Sequence, residues 1–267
     1  MSGTDLTGAS AVVTGAAGGI GAAIAEELVQ RGAGSVLITD VDADRLAATA
    51  ERLGVEHLAG DVTDDDHLRA LLDRDVDVYF ANAGVFRGFG LGAEEDDWAA
   101  SWDVNVMSQV RAARLLVPRW VDRAADGTGG GCFVSTASAA GLLVQLGSAT
   151  YTVSKHAALG LAEWLAATYG DRGVQVTCLC PMGVRTPMVE GGDQVDDPDA
   201  RLSHSVVTGA GAVLEPSFVA DVVLDAVAEG RFLALPHPEV DDMQKMKADD
   251  RDGWLAAMQH VRRAVAP

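Results

Sequence analysis

The chain has 267 residues, enough for one large α/β domain and short for two. Apolar residues make up 48%, which argues against disorder, and a formal net charge of −19 argues against nucleic acid as a partner. No apolar run reaches the ~20 residues that a membrane-spanning helix needs. Met1 to Gly8 carries neither a basic flank nor an apolar core, so no export signal is expected.

The first strand is expected over Ala11–Thr14. It runs into Gly15-Ala-Ala-Gly-Gly-Ile-Gly21 and a helix over Gly19–Arg31. Gly15 permits a tight turn, Gly19 lets backbone approach a pyrophosphate, and Gly21 allows the helix to pack closely on the strand. The helix N-terminus offers its free N–H groups to the phosphates. Alone such a turn is a weak signal; its place after the first strand strengthens it.

A second strand, Ser35–Thr39, ends at Asp40, 19 residues after Gly21. A carboxylate there can accept hydrogen bonds from both hydroxyls of an adenosine ribose and would repel a 2′-phosphate. No basic residue sits beside it in sequence: Val41 follows, and Gly18 occupies the turn. The plainer role is to cap the helix expected over Asp42–Leu53, a task Asp42 can fill instead. A methyltransferase also uses a glycine-rich loop and an acidic residue on such a fold, and later motifs decide against it.

Further strands are expected over Val55–Ala59, Val76–Phe80, Cys132–Ser135, Val174–Leu179 and Phe232–Leu235. Helices are expected over Asp64–Leu72, Glu95–Arg123, Tyr151–Tyr169 and Pro216–Glu229. Most strands are continuous apolar runs, as when helices cover both faces of a parallel sheet. The alternation predicts one α/β domain over 1–267, a Rossmann-type doubly wound parallel sheet of about seven strands with helices on both faces.

Two segments depart from the alternation. Met188–Leu214, with Gly191, Gly192, Asp193, Asp196, Asp197 and Pro198, follows a strand end and is a candidate lid over a substrate. Val240–Val261 carries Met243, Met246, Trp254, Leu255, Met258 and Val261 at roughly helical spacing, which reads as a packed C-terminal helix or helix pair.

Cys132, Cys178 and Cys180 read as buried thiols of a reducing, cytoplasmic setting, and a Cys-x-Cys pair without further ligands is a poor zinc site, so no metal is expected. Only three of the 20 basic residues are lysines: Lys155, Lys245 and Lys247. Where Arg is the habitual cation, Lys155 suggests a position that Arg cannot fill.

Tyr151-Thr-Val-Ser-Lys155 opens a helical stretch, and a separation of four puts Tyr151 and Lys155 one turn apart on one face. A phenol has a reference pKa of ~10, and a nearby ammonium favours the phenolate. Ser138, just past a strand, can donate a hydrogen bond to the same substrate oxygen. Singly, each has a plainer reading: a packed ring, a surface charge, a helix cap.

Together these residues resemble the short-chain dehydrogenase/reductase family in its single-domain form. The motifs run in order along almost the whole chain: Thr14-Gly-Ala-Ala-Gly-Gly-Ile-Gly21, Gly60-Asp-Val62, Asn82-Ala-Gly84, Asn105, Ser138, Tyr151-Thr-Val-Ser-Lys155 and Pro181-Met-Gly-Val-Arg-Thr186. The resemblance implies Tyr151 as general acid/base and Ser138 as holder of the substrate oxygen. Lys155 would bind the nicotinamide ribose and depress the Tyr151 pKa, and Asn105 would sit at a helix kink holding the water of a proton relay. It further implies cofactor contacts from Gly15, Gly19, Ile20, Gly21, Asp40, Asp61, Val62, Asn82, Ala83, Gly84, Tyr151, Lys155, Pro181, Val184 and Thr186, with Asp61 and Val62 at the adenine, and substrate contacts from Ser138, Tyr151 and Met188. The implied cofactor is NAD, and the implied assembly is a homotetramer.

The chain departs from the family pattern at Ala81, where Asn is usual, and at Met182, where Gly is usual. Met182 is expected to shift the turn beside the nicotinamide.

The expected substrate is a neutral, hydrophobic secondary alcohol or its ketone. Ala139-Ala-Gly-Leu-Leu-Val-Gln-Leu146 and Met182, Met188 and Val189 approach the site without a charge. Arg185 should point away, and Arg87 and Arg201 are the exceptions to watch. The alternatives are a catalytically silent dinucleotide sensor of the same fold, which would lack Tyr or Lys, and epimerisation or dehydration, which belong to longer chains.

Overall fold

The computed structural model describes residues 3–190, 197–209 and 211–265. Seven strands form one sheet: β1 (Ser10–Thr14), β2 (Ser35–Thr39), β3 (Glu56–His57), β4 (Val78–Ala81), β5 (Gly131–Thr136), β6 (Val174–Leu179) and β7 (Leu233–Ala234). Their spatial order is β3-β2-β1-β4-β5-β6-β7, and every adjacent pair is parallel. The connection reverses direction between β1 and β4, and the crevice at that switch lies beyond the strands' carboxyl ends.

The strands lack polar alternation because both faces are buried. Ala11, Val13, Val78, Phe80, Cys132 and Val134 point into one core; Val12, Tyr79, Phe133 and Val176 point into the other. The first core is closed by α1 (Gly19–Gln30), α2 (Ala43–Leu53) and α10 (Pro216–Glu229), through residues such as Ile24, Leu28, Leu46 and Val223. The second is closed by α3 (Asp65–Leu72), α5 (Ser108–Ala125) and α7 (Ala149–Tyr169), through Leu68, Leu116, Trp120 and Leu165. Asp42, not Asp40, caps α2: its carboxylate accepts from the Arg45 N–H at 3.1 Å.

Several sequence expectations change; the strand expected over Phe232–Leu235, for one, shortens to Leu233–Ala234. The strand expected over Val55–Ala59 shortens to Glu56–His57, because at the sheet edge it pairs only with Leu37 and Ile38. The helix expected over Glu95–Arg123 is interrupted: α4 (Glu95–Trp102) passes through a π-helical turn, Asp103–Met107, into α5. A short helix not foreseen, α6 (Ala139–Leu142), follows Ser138.

The candidate lid holds α8 (Pro187–Glu190) and α9 (Pro198–Gly209). Gly191, Gly192, Asp193 and Asp196, and the side chain of Val189, lie outside the described residues. The C-terminal segment is a helix pair, α11 (Glu239–Asp249) and α12 (Arg251–Val265). No helix among the described residues is long and apolar enough to cross a membrane.

Candidate active site

A cavity of about 790 Å³ opens at the switch point, beyond the ends of β1, β4, β5 and β6. One end is the glycine turn. Gly15 and Gly19 adopt φ of 66° and 55°, which L side chains rarely adopt. A Cβ on Gly15 would stand 2.8 Å from the Ala83 Cα, and one on Gly21 2.2 Å from the Gly15 carbonyl oxygen. The second clash is the close helix–strand packing that the spacing predicted. Gly15, Gly19 and Ile20 line the cavity with Ala83, Gly84, Val184 and Thr186, and Thr186 faces Gly19 across it. A backbone cradle with no room for side chains at its turn fits a dinucleotide's pyrophosphate.

Thr14 and Asn82 lock this cradle. The Thr14 hydroxyl donates to the Phe80 carbonyl and accepts from the Asn82 and Ala83 N–H groups at 3.0 and 2.9 Å. The Asn82 amide donates to the Thr14 and Gly15 carbonyls, and its oxygen accepts from Thr136. Asn82 thereby ties β1, β4 and β5 together beneath the groove.

Asp40 stands at the outer end. Its carboxylate accepts from the Ala17 and Asp42 N–H groups at 3.0 and 3.1 Å, which fixes it on the rim with acceptor capacity to spare. The Gly60 N–H donates to the Asp40 carbonyl and brings the loop carrying Asp61 and Val62 alongside. Asp61 is exposed there, while Val62 is buried in the second core; neither forms part of the cavity wall. No cation at this rim is legible in the sequence, yet Arg45 reaches back from α2. Its Nη2 lies 2.6 Å from where a Cβ on Gly18 would be.

The inner end gathers Ser138, Tyr151 and Lys155. Ser138 caps α6, accepting from the Ala140 N–H at 3.1 Å, and donates to the Pro181 carbonyl at 3.3 Å; it is a cap and a cavity residue at once. Ser148 caps α7 and sets Tyr151 in its first turn. The Tyr151 ring meets Phe86 edge-on at 4.6 Å, with Lys155 Nζ 5.6 Å from its centroid. Lys155 is buried and donates to the Thr136 carbonyl at 2.9 Å, so it is no surface charge.

Burial pushes the Lys155 ammonium down to about 8. It also pushes the Tyr151 phenol above its ordinary value, partly offset by the hydrogen bond with Ser138. The expected depression of the phenol by Lys155 is therefore not present in the protein alone. The half-buried Tyr151 lines the cavity, and the cost of desolvating a phenolate outweighs the Ser138 hydrogen bond.

Asn105 lies fully buried in the π turn, at the expected helix kink. Its oxygen accepts from the Val85 N–H at 2.8 Å, and its amide donates to the Val85 carbonyl and Ser154, each at 3.0 Å. It clamps the loop after β4 onto α7. A Cβ on Gly84 would sit 3.2 Å from the Asn105 oxygen and 3.4 Å from Lys155 Nζ, so a larger residue there would press on both.

The Pro181 turn is pinned by a residue that sequence reasoning missed. His237, buried after β7, accepts the Met182 N–H on Nδ1 at 3.2 Å, which leaves Nε2 to donate to the Ala212 carbonyl at 3.0 Å. Met182 lines the cavity. Arg185 points away as expected, pairing with Glu215 at 2.7 Å, and Arg87 and Arg201 are exposed and outside the wall. Met188 lines the cavity with Phe86, Phe89 and the C-terminal helices, which were read only as packing. The missed signal was the methionine spacing: five of the seven methionines, Met182, Met188, Met243, Met246 and Met258, lie on this wall.

Residues 9–195 match the family model described as short chain dehydrogenase. The 1-deoxy-11-beta-hydroxypentalenate dehydrogenase of Streptomyces avermitilis is 38% identical over 200 residues, which cover 70% of this chain and 72% of that protein. A short-chain dehydrogenase/reductase from Burkholderia phymatum, solved in complex with NAD, superposes with a TM-score of 0.81 at 29% identity, covering 93% of this chain and 96% of that one. A short-chain dehydrogenase from Sphingobium yanoikuyae, solved with NADPH, gives 0.76 at 25% identity, covering 93% and 95%. Structures of this kind thus hold either nucleotide. With its seven-stranded sheet, glycine cradle and gathered Ser138, Tyr151 and Lys155, the chain belongs to the short-chain dehydrogenase family.

Proposed function

We propose that the enzyme interconverts a neutral, hydrophobic secondary alcohol and its ketone, with NAD as cofactor and Tyr151 as acid/base. One observation carries this reading: Ser138, Tyr151 and Lys155 meet at the inner end of the same cavity whose outer end holds the glycine cradle and Asp40. NAD, when bound, supplies the acceptor for the hydride that leaves the carbinol carbon. The protein's own groups manage the proton. Ser138 Oγ holds the substrate oxygen, and Tyr151 takes the alcohol proton during oxidation or returns it during reduction. Lys155 holds the nicotinamide ribose and keeps a positive charge beside the phenol at neutral pH. Asn105 fixes the loop and helix that carry these groups.

Asp40 supports NAD, because a 2′-phosphate would approach a fixed carboxylate. Arg45 on the same rim is the observation that favours NADP instead, but its guanidinium lies by the turn at Gly18. Charged groups on the cavity wall, among the described residues, are confined to Asp40, Asp42 and Arg45 at the adenosine end and Lys155 at the chemical end. The rest of the wall is mostly apolar, with Asn82, Thr136, Gln145, His204 and Ser205 among its polar members, and this supports an uncharged substrate.

The three cysteines are free and buried, as suits a cytoplasmic enzyme. A homo-oligomer, tetrameric by the family pattern, would cover Trp102 on α4 and Val153 and Trp164 on α7, which are large apolar side chains left exposed. The experiment is a screen for NADH formation across aliphatic, aromatic, terpenoid and steroid secondary alcohols, repeated with NADP. Reduction of NAD by apolar members supports the reading. Turnover confined to carboxylated alcohols, or to NADP, overturns the corresponding part.

A further inference from the structure

The C-terminal helix pair does more than pack. Met243 and Met246 of α11 and Trp254, Met258 and Val261 of α12 line the same cavity as Ser138 and Tyr151. These residues sit across from Leu143 and Val144, on the segment that leads away from Ser138. Trp254 is buried and anchors α12. Methionine is unbranched and polarisable, so a methionine-rich wall adapts to irregular apolar shapes without presenting a hydrogen-bonding group.

The Lys247 side chain ties this wall to the end of α6. Lys247 Nζ donates to the Leu142 carbonyl at 2.7 Å and to the Leu143 carbonyl at 2.8 Å, at the end of α6, the helix that Ser138 caps. The same ammonium lies 5.1 Å from the Trp254 ring centroid. One cation therefore joins α11, α12 and the segment beside Ser138. It has no place on the cavity wall itself. Lys247 is also one of only three lysines in the chain.

We propose that Lys247 is a positioning residue: by clasping the methionine-lined C-terminal helix pair to the end of α6 it sets the shape of the cavity for alcohols bulky enough to reach that wall. The inference rests on the alcohol-oxidoreductase reading above and adds what shapes the cavity for a bulky substrate. A small alcohol needs only Ser138 and Tyr151. A bulky one must also fill the space under the methionines, so only the bulky one feels the wall move.

The test compares wild type, Lys247→Met and Lys247→Arg with propan-2-ol and with a saturated 3β-hydroxysteroid. Loss of the two clasp hydrogen bonds should raise KM for the steroid about tenfold, with kcat/KM for propan-2-ol and affinity for NADH unchanged. Lys247→Arg keeps donors for both carbonyls and should recover most of the steroid KM. Equal losses on both alcohols, or none on the steroid, would overturn the proposal. Direct binding of the steroid, measured by calorimetry with and without NADH, separates this proposal from the oxidoreductase reading. Met258→Lys places a charge on the methionine wall and should abolish steroid binding while thermal unfolding and NADH binding stay near wild type. Steroid binding that is lost this way without turnover in wild type would sink the oxidoreductase reading and keep the wall's role. Binding that persists in Met258→Lys would sink that role.

Discussion

Lys155→Met isolates the cost of burying the Lys155 ammonium. In the protein alone, burial lowers the Lys155 pKa from 10.5 to about 8. A base whose folded pKa is depressed makes the folded state bind fewer protons than the unfolded one between those two values. Stability therefore rises with pH across that window, and the full destabilisation is present below it. At 1.36 kcal/mol for each pKa unit, the ammonium costs on the order of 3 kcal/mol at pH 7, falling to about 1.4 kcal/mol at pH 9.5. Met fills similar volume without charge but leaves the Thr136 carbonyl without its 2.9 Å partner, an offset of about 1–3 kcal/mol. The cofactor-free variant should therefore be equal to or more stable than wild type at pH 7. It should lose about 2 kcal/mol of that relative standing by pH 9.5. Urea denaturation at the two pH values, without nucleotide, measures this directly. A stability difference that does not change with pH would show that the Lys155 ammonium is not destabilised by burial.

Three other outcomes follow from the same geometry. Asp40→Ser should relax the preference for NAD, and adding Arg45→Ala should keep NADP from gaining in return; kcat/KM for both nucleotides checks this, and equal use of both by wild type would contradict it. His237→Ala leaves the Met182 N–H and the Ala212 carbonyl without their buried partner, so it should cost about 1–3 kcal/mol of stability, read by chemical denaturation, and weaken NADH binding through the loosened turn. Because burial raises the Tyr151 pKa, ultraviolet titration of wild type minus Tyr151→Phe without cofactor should show this phenol ionising above 10; a midpoint below that would show that Lys155 prevails over burial.

The strands β2 and β6 match their expected bounds, and β1 differs by one residue, because continuous apolar runs between glycine-rich turns leave little freedom. β3 failed as a five-residue strand because its length is set by one edge partner, not by its own sequence. The π turn at Asn105 was legible only through the family motif, since helical periodicity runs on through Glu95–Arg123. Gly15, Asn82, Ser138, Tyr151 and Lys155, far apart in sequence, all line one cavity. What local sequence hid were contacts made across long separations. Arg45 reaches Gly18 across 27 positions, His237 holds Met182 across 55, and Lys247 holds Leu142 across 105. The pKa of Tyr151 was misjudged for the same reason: its neighbour Lys155 is visible in sequence, but the protein wall that desolvates its hydroxyl is not.

If Tyr151 moves the proton, removing its hydroxyl should stop the chemistry while the nucleotide still binds. Single-turnover formation of NADH, followed at 340 nm with a neutral apolar secondary alcohol, tests this in wild type and Tyr151→Phe. The rate should be at least ~10²-fold lower in the variant, with the Kd for NADH unchanged. A variant that transfers hydride at a rate near wild type would contradict this role for Tyr151.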